Sequence, residues 1–384
     1  MDDRGIIGGQ PGLQIARALS TTIREQARTA EQLGTLPTGL VTRLRRADLF
    51  SLALPKSLDG AELPPADIVE IIEELSRADG ATGWTTLVGN GTAFLAWLAP
   101  EVATDLLAPY HGAVTSTGFS PTGTLVETGA GRSELSGRWA FSSGCRHADL
   151  CINAAAVRAS GRGRSWRFAV FPAARAIVED NWDTAGLRGT GSHDVLADRV
   201  PVLDEHTFHP HDPAEHDGAL WRLPFFTLGG VLMAGFPLGV ARRALDELAT
   251  MAPGKVRPPS PLPIAEDGDL QTSLARAEGG LRAARAFVFD TLGSLWDRAR
   301  GGDVPSVALR ADFLLATQQA MWAAKTAVDT AFSFAGAGAL RLDHPVQRCF
   351  RDLHAATQHM FYTPVSAKRY ARARLGLSQE TEWF

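Results

Sequence analysis

The sequence contains few cysteines and has little net charge. The three cysteines, Cys145, Cys151 and Cys349, are too few and too scattered for a disulfide framework. No C-x-x-C pair occurs, so a zinc site of that type is not expected. The net charge of -4 argues against a nucleic-acid-binding protein, which usually carries a basic patch or a basic balance. We therefore expect a protein of the reducing cytosol without a bound metal.

The sequence also lacks the features of exported and membrane proteins. It begins MDDRGIIGGQPG, without the basic head and apolar run of a signal peptide. The longest apolar stretch, around residues 228–240, is interrupted by Gly and Pro and is shorter than a membrane span. These absences predict a soluble cytoplasmic protein.

Helical patterns occupy the first part of the chain, residues 1–111. In segment 65–79, PADIVEIIEELSRAD, the apolar residues fall on one helical face and the acids on the other. Segment 83–98 is apolar and almost uncharged, which predicts a buried helix. We expect these residues to form an N-terminal helical domain.

The middle part, residues 112–215, has strand character. Trp166, Phe168 and Val170 alternate with less apolar residues, which is the period-2 pattern of a half-buried strand. Gly-rich turns separate this run from its neighbours. We expect a compact β domain here.

Helical patterns return in the last part, residues 216–384. Four apolar residues recur every seven positions between residues 274 and 295, with small alanines between them, which is typical of a helix bundle or an oligomer interface. A second long helix is expected from about residue 305 to residue 336, and 252–269 is expected to be an exposed connector. The order of the three parts predicts an α+β fold with segregated elements.

Four segments contain most of the residues with candidate chemistry: SGRWAFSSGCRHADL at 136–150, WDTAGLRGTGSHD at 182–194, AGAGALRLDHPVQRCFRD at 335–352 and LHAATQHMFYTP at 353–364. They resemble the acyl-CoA dehydrogenase superfamily. The resemblance is closest to the oxygenase components of two-component flavin-dependent monooxygenases, of the para-hydroxyphenylacetate hydroxylase, steroid-phenol hydroxylase and nitrososynthase types. The pattern G-x-W-x-F-x-S-G-C-x-H-A-D is characteristic of that branch, and weaker similarity covers nearly the whole chain.

The resemblance implies a fold and a set of partners. The fold has an N-terminal helical domain, a middle β barrel or sandwich, and a C-terminal four-helix bundle, with the flavin ring between the β domain and the bundle. The assembly is usually a homotetramer. Reduced FMN or FAD would come from a separate NAD(P)H:flavin reductase, and O2 would be the co-substrate. No G-x-G-x-x-G unit for NAD(P)H is visible, which agrees with a separate reductase.

The resemblance also implies which residues contact the flavin. Phe141 would back the isoalloxazine ring, and Ser143, with Ser142 and the nearby backbone, would bond near flavin N5 and O4. On the residues alone, these two serines would be ordinary turn residues at a strand end. Thr115 and Ser116 correspond to a loop that touches the flavin pyrimidine, although the E-P-G-A-G-S string of the dehydrogenases is missing there.

Further candidates lie in segment 182–194, which we call the Gly-rich loop, and in the C-terminal motif. Arg348 and Asp352 are spaced i, i+4 on an expected helix, where they can pair, and the family pattern places them near flavin or a subunit contact. Arg188, Ser192 and His193 fall in a segment that lies at the active-site rim in the family.

The positions of the dehydrogenase base favour a monooxygenase. Acyl-CoA dehydrogenases need a carboxylate within hydrogen-bond reach of the substrate proton. The two usual positions of that Glu correspond here to Met360 and Gly229, and neither residue accepts a proton.

Histidine is the expected catalytic residue. Monooxygenases of this branch have a histidine at about the place of His359, and the imidazole group can deprotonate or orient a substrate near neutral pH. His147, in the C-R-H-A-D string, is the second candidate. Trp84 and Phe361 are expected in the lining of an apolar pocket that keeps water from the flavin.

The leading hypothesis is an oxygenase component that uses reduced flavin and O2, through a C4a-hydroperoxyflavin, to hydroxylate a small aromatic or amine substrate. The high content of Ala, Arg and Gly suggests a GC-rich bacterial source and a role in secondary metabolism. Two alternatives stay open at this point. One is an acyl-CoA dehydrogenase or oxidase with a displaced base, and the other is a scaffold without flavin.

Overall fold

The computed structural model describes residues 8–158 and 165–377. The N-terminal part is helical. Helices α1 (Gly9–Leu33) and α4 (Gly80–Gly89) pack against α3 (Pro65–Ala78), whose Ile68, Ile71 and Leu75 are fully buried. Burial of this face explains the amphipathic pattern of the segment. The helices are α1 Gly9–Leu33, α2 Thr38–Arg46, α3 Pro65–Ala78, α4 Gly80–Gly89 and α5 Pro100–Leu107.

The apolar segment predicted as one buried helix over 83–98 is divided in two. The α-helix α4 ends at Gly89, and a 3₁₀ helix continues over Asn90–Trp97. The Asn90 side chain donates to the carbonyl groups of Leu49 and Thr86 and accepts from the backbone N–H of Leu52. These buried bonds tie the chain to the loop after α2, and the helix changes its hydrogen-bonding pattern at this position.

The middle part forms one seven-stranded sheet of order β5-β6-β2-β1-β3-β4-β7. All neighbouring pairs are antiparallel except β1 and β3, which are parallel. The strands are β1 Thr115–Gly129, β2 Arg132–Trp139, β3 Leu150–Arg158, β4 Ser165–Pro172, β5 Ile177–Glu179, β6 Asp194–Leu203 and β7 Thr207–Phe208.

Trp139, at the end of β2, explains the glycines of this sheet. Its ring lies against Gly118, Gly123 and Gly137, where an added Cβ would come within 3.0 Å of the indole. Its Nε1–H donates to the carbonyl oxygen of Ala154 at 2.7 Å. Glycine is required at these three positions of β1 and β2, because a side chain there would overlap the indole ring.

The C-terminal part consists of long helices, of which α6 is the central one. It is long and apolar enough to cross a membrane, but 94% of its most apolar window is buried inside the protein, as expected for a core helix. Of the four heptad residues in α7, Leu281, Val288 and Leu295 are buried, and Leu274 is partly buried against the same core. The helices are α6 Phe225–Met251, α7 Gly268–Arg300, α8 Val307–Ala335, α9 Pro345–Ala356 and α10 Pro364–Arg374.

Candidate active site

A cavity of about 1080 Å³ lies between the sheet and the helices. This volume is at the upper end of the range for small-molecule and cofactor sites. Six segments line it: α4 with the 3₁₀ helix after it, β1, the end of β2, the Gly-rich loop, α6, and α9 with the turn that follows. Their lining residues fall within 84–94, 117–122, 138–143, 182–192, 229–233 and 350–361.

One wall of the cavity is apolar and largely aromatic. Phe94, Phe119 and Phe361 line it together with Leu232 and Met233 of α6. Phe119 contacts the edges of both other rings, with centroids 6.0 and 6.4 Å away. Such a wall buries a flat apolar ligand and excludes water.

A chain of hydrogen bonds forms the polar side of the cavity. Trp84 Nε1–H donates to Ser143 Oγ at 3.0 Å, and Ser143 Oγ bonds to Ser192 Oγ at 2.7 Å. Ser192 Oγ bonds to Thr190 Oγ1 at 2.6 Å, which donates to the carbonyl oxygen of Leu187 at 2.8 Å. We call these five groups the hydroxyl relay. It joins α4, the turn after β2 and the Gly-rich loop.

The turn after β2 has a strained backbone that sets the position of Ser143. Phe141 has a φ of 62°, which is uncommon for a residue with a side chain. The Ser142 N–H donates to the carbonyl oxygen of His193, and its hydroxyl donates to the carbonyl oxygen of Trp139. Ser142 therefore faces away from the cavity and holds the turn, while Ser143 faces the cavity.

His359 lies beside Trp84. The two rings are perpendicular, with centroids 5.4 Å apart. The Phe361 N–H approaches His359 Nδ1 at 3.5 Å, and the ring of Phe361 is parallel to the imidazole. Burial lowers the pKa of His359 to about 4. The imidazole is therefore neutral at physiological pH, and with Nδ1 as acceptor its proton is on Nε2.

The turn that presents His359 is fixed by Tyr362. The Tyr362 hydroxyl donates to the carbonyl oxygen of Met233 in α6 at 2.6 Å. The Gln318 side chain of α8 donates to the carbonyl oxygen of Tyr362 at 2.8 Å. Two helices thus hold a short turn, which gives the imidazole a defined orientation.

Comparisons with known proteins agree with this geometry. The models of the acyl-CoA dehydrogenase N-terminal domain and C-terminal domain match residues 14–105 and 231–364. Indole-3-acetate monooxygenase of Pseudomonas putida is 30% identical over 351 residues, which are 91% of this chain and 90% of the relative. The chain belongs to the acyl-CoA dehydrogenase-like flavin-dependent monooxygenases.

Other relatives and solved structures belong to the same class. The oxygenase subunit HsaA of a flavin-dependent monooxygenase from Rhodococcus jostii is 26% identical, covering 95% of this chain and 98% of the relative. The 3-HSA hydroxylase from Rhodococcus sp. RHA1 superposes with a TM-score of 0.90 at 24% identity, covering 96% of this chain and 97% of that one. This confirms the predicted fold class. The protein is the oxygenase component of a two-component system, with reduced flavin as its cofactor and a separate reductase.

The cavity of this monooxygenase fits a flavin. Ser143 Oγ accepts from Trp84 and keeps a second lone pair for a ligand donor. The register of β1 against β3 shifts between Gly118 and Gly123, so the intervening backbone leaves this ladder where it lines the cavity. Phe141 is 72% exposed at the cavity mouth, 6.2 Å from the ring of Trp182. These groups offer polar contacts and flat apolar surface to a planar ring.

The cavity of the monooxygenase lacks a dehydrogenase base. Both positions expected for that Glu, Gly229 and Met360, do line the cavity, but neither side chain can take a proton. Among the described residues that line it, none is Asp or Glu. This chemistry supports the monooxygenase function over the alternative of a dehydrogenase with a displaced base.

The predicted site residues fall into two groups. Those that line the cavity are Trp84, Phe141, Ser143, Ser192, His359 and Phe361. Those that lie outside its lining are Thr115, Ser116, Ser142, His147, Arg188, His193, Arg348 and Asp352. The polar partners of most residues in the second group lie outside the cavity lining.

His147 and Arg188 have partners away from the cavity. His147 Nε2 bonds to the Thr35 hydroxyl at 2.9 Å, beside α1, and burial lowers its pKa. Arg188 bonds to the carboxylate of Asp183 at 2.9 Å and to a carbonyl of its own loop. Both residues hold loops in place, because their polar atoms are bonded outside the cavity.

His193 and Thr115 bond to backbone or side-chain groups of neighbouring segments. His193 Nε2 accepts from Arg146, and its Nδ1 faces the N–H groups of Asn181 and Trp182. Thr115 donates to the backbone of α4. In β1 the lining begins two residues later, at Thr117.

Arg348 and Asp352 do not form the pair that their spacing allows. Arg348 and the neighbouring Arg351 both reach Glu31 of α1. Asp352 is buried, and its Oδ1 accepts from the Leu187 N–H at 2.6 Å. Helix α9 thereby holds the Gly-rich loop, since Arg351 also donates to the carbonyl oxygen of Ala185.

The sequence prediction omitted several cavity residues. Trp182, Thr184 and Arg351 lie within the two motifs that the prediction used, so the signal was present but was assigned to other residues. Leu232 and Met233 carried no such signal, because every face of α6 is apolar near them. Only packing decides which of these side chains reaches the cavity.

The stability of the protein is expected to depend on pH through Asp352. Burial, and then the charge of nearby Asp79, raises the pKa of Asp352 to about 7. Between about pH 4 and 7, Asp352 is therefore protonated in the folded protein and ionised in the unfolded chain. The protonated carboxyl stabilises the folded protein at low pH, and this stabilisation is lost as the pH rises through about 7.

Asp352→Asn is expected to remove that dependence. An amide oxygen can still accept from Leu187 and carries no charge, so the variant should be more stable than the wild type at pH 8 by about 1–3 kcal/mol. Urea unfolding at pH 5.5 and pH 8 measures the difference. Asp198→Asn, at an exposed carboxylate, is the control and should follow the wild type. Parallel curves for wild type and Asp352→Asn would show that Asp352 is charged in the folded protein.

Proposed function

We propose that this monooxygenase hydroxylates a small planar aromatic substrate. The observation that carries the proposal is the position of Trp84, whose ring contacts both the Ser143 hydroxyl and the imidazole of His359. A flavin ring bound at Ser143 and a substrate ring bound at His359 would thus lie close enough to react with each other. The aromatic wall beside them, with Phe119 and Phe361, suits a flat substrate.

The relatives support an aromatic substrate. By name, the Pseudomonas putida relative acts on indole-3-acetate, and a Rhizobium relative, 28% identical, acts on resorcinol. An amine substrate fits less well, because an ammonium group would find no carboxylate among the described lining residues. A role in secondary metabolism stays a prediction from composition.

The chain's own residues then have defined tasks. Bound reduced flavin supplies the electrons that activate O2. His359 presents its Nε2 proton to an acceptor atom of the substrate and orients the ring. Ser143 holds the flavin, and the apolar wall excludes water from the reaction. Phe141 and Trp182 cover the mouth of the cavity.

We further propose a homotetramer in the cytoplasm. Trp322 of α8 is 44% exposed, next to a groove against α7 that is lined by Ala277, Gly280 and Ala323. Small residues beside an exposed indole favour helix packing against another copy. The three thiols are free and buried, which suits a reducing compartment. Light scattering of the wild type and of Trp322→Arg tests the assembly, and an unchanged mass in the variant would argue against this interface.

The function is tested by the oxidation of reduced flavin. Reduced FMN and reduced FAD are mixed separately with the protein and then with oxygenated buffer, with or without indole-3-acetate or resorcinol as probes. We expect the protein to slow the return of oxidised-flavin absorbance relative to free flavin, and a hydroxylated product to form from an aromatic probe. Reoxidation at the free-flavin rate would contradict the oxygenase function. Slowed reoxidation without product from either aromatic would contradict only the substrate proposal.

A further inference from the structure

Every contact of the hydroxyl relay is a hydrogen bond in only one order of protons. Thr190 uses its only hydroxyl proton on the carbonyl oxygen of Leu187. The contact between Thr190 and Ser192 must then be donated by Ser192, and the contact between Ser192 and Ser143 must be donated by Ser143. The backbone carbonyl thus fixes the direction of every bond in the relay.

The relay therefore leaves Ser143 as an acceptor toward the cavity. Its proton is directed to Ser192, and one lone pair receives the Trp84 N–H. The side chains of Trp84, Ser143, Thr190 and Ser192 are all less than 10% exposed. Water offers few alternative partners at such sites, so reversing one bond leaves a buried group unpaired.

We infer that the proton order of the relay makes the site select reduced over oxidised flavin. The inference rests on the proposed flavin contact at Ser143. Reduced flavin carries a proton on N5 and can donate to Ser143 Oγ, whereas the N5 of oxidised flavin has only a lone pair. With oxidised flavin, Ser143 Oγ and N5 would both be acceptors in a buried site, and the hydrogen bond between them would be lost. Thr190, Ser192 and Trp84 are positioning residues in this scheme, because they act through Ser143.

The selection has a use in a two-component system. The oxygenase must take reduced flavin from the reductase in the presence of oxidised flavin, and it must release the oxidised form after turnover. An acceptor-only hydroxyl serves both requirements without any movement of the backbone. The expected preference for reduced flavin is about ten-fold or more, which is the size of one lost buried hydrogen bond.

The test compares the Kd of reduced and oxidised FMN, with FAD in parallel, by anaerobic and aerobic titration of the full chain. In Ser192→Ala the Ser143 proton is free to turn to the cavity. We expect oxidised flavin to bind more tightly and the ratio of the two Kd values to fall by about 5- to 10-fold. Thr190→Val removes the hydroxyl that donates to the Leu187 carbonyl oxygen and fixes the proton order. It should shift the ratio of the two Kd values in the same direction. The test thus stays valid if one of the two variants does not fold.

Two controls separate this effect from general loosening of the site. Thr190→Ser keeps the hydroxyl and should keep the wild-type ratio. Ser142→Ala removes an adjacent buried hydroxyl that donates to Trp139, outside the relay, and should also keep it. An equal weakening of both flavins in Ser192→Ala and Thr190→Val, or an unchanged ratio, overturns the inference. If the wild type binds neither flavin, the proposed flavin site itself is wrong.

Discussion

Replacement of His359 by alanine is expected to lower the rate of product formation by about 10²- to 10⁴-fold. Among the described residues, two histidines line the cavity, His354 and His359, and His354 Nε2 is bonded to Asp329 at 2.7 Å. His359 lies beside Trp84, and its Nε2 proton is available to substrate. Binding of reduced flavin should change little, because the polar contact to flavin is assigned to Ser143. Reduced flavin would then be consumed with release of hydrogen peroxide in place of product. Product and peroxide yields per reduced flavin measure this change.

The pH dependence gives a second criterion for the role of His359. Since burial lowers the pKa of His359 to about 4, the neutral form prevails from pH 6 to 9, and no step in the rate over this range should come from it. A wild-type step near pH 6.5 that disappears in the alanine variant would contradict the hydrogen-bond-donor role. His147→Ala is the control, since His147 bonds to Thr35 outside the cavity, and product formation should stay close to that of the wild type.

Gly186→Ala is expected to disrupt the flavin site through the backbone. A Cβ at this position would lie 2.0 Å from the carbonyl oxygen of Arg351, and no flexible side chain can yield there. The Gly-rich loop must therefore move away from α9, and the Leu187 N–H would separate from Asp352. We expect a loss of about 1–3 kcal/mol in the free energy of unfolding. We also expect reduced flavin to bind at least about ten-fold more weakly, because the relay lies on this loop.

Gly293→Ala provides the matched control for this substitution. Gly293 lies in the interior of α7, where an added Cβ would meet nothing within 4 Å. Alanine should raise the free energy of unfolding by about 0.5–1 kcal/mol, since glycine is the poorer helix former. Urea unfolding and titration with reduced FMN cover both variants. If Gly186→Ala binds flavin like the wild type, the contact between the loop and α9 does not position the site.

Much of the site followed from motifs, and the rest depended on contacts between distant segments. The string around Ser143 and the C-terminal motif that contains His359 both led to residues that line the cavity. The same reasoning also selected His147, Arg188 and His193, which lie outside the cavity lining. A motif specifies the order of residues, but the direction of each side chain is set by what packs against it.

The sequence alone determined the fold class and the family. Hydrophobic periodicity decides which face of α3 or of a strand is buried, and this information is local to each segment. The tertiary structure decided the chemistry of the cavity. Trp84 meets Ser143 across 59 positions of sequence, and Leu187 meets Asp352 across 165. Such pairs form only when the helices close on the sheet. Periodicity acts within one element, whereas the protonation of His359 and the order of the relay follow from burial between elements.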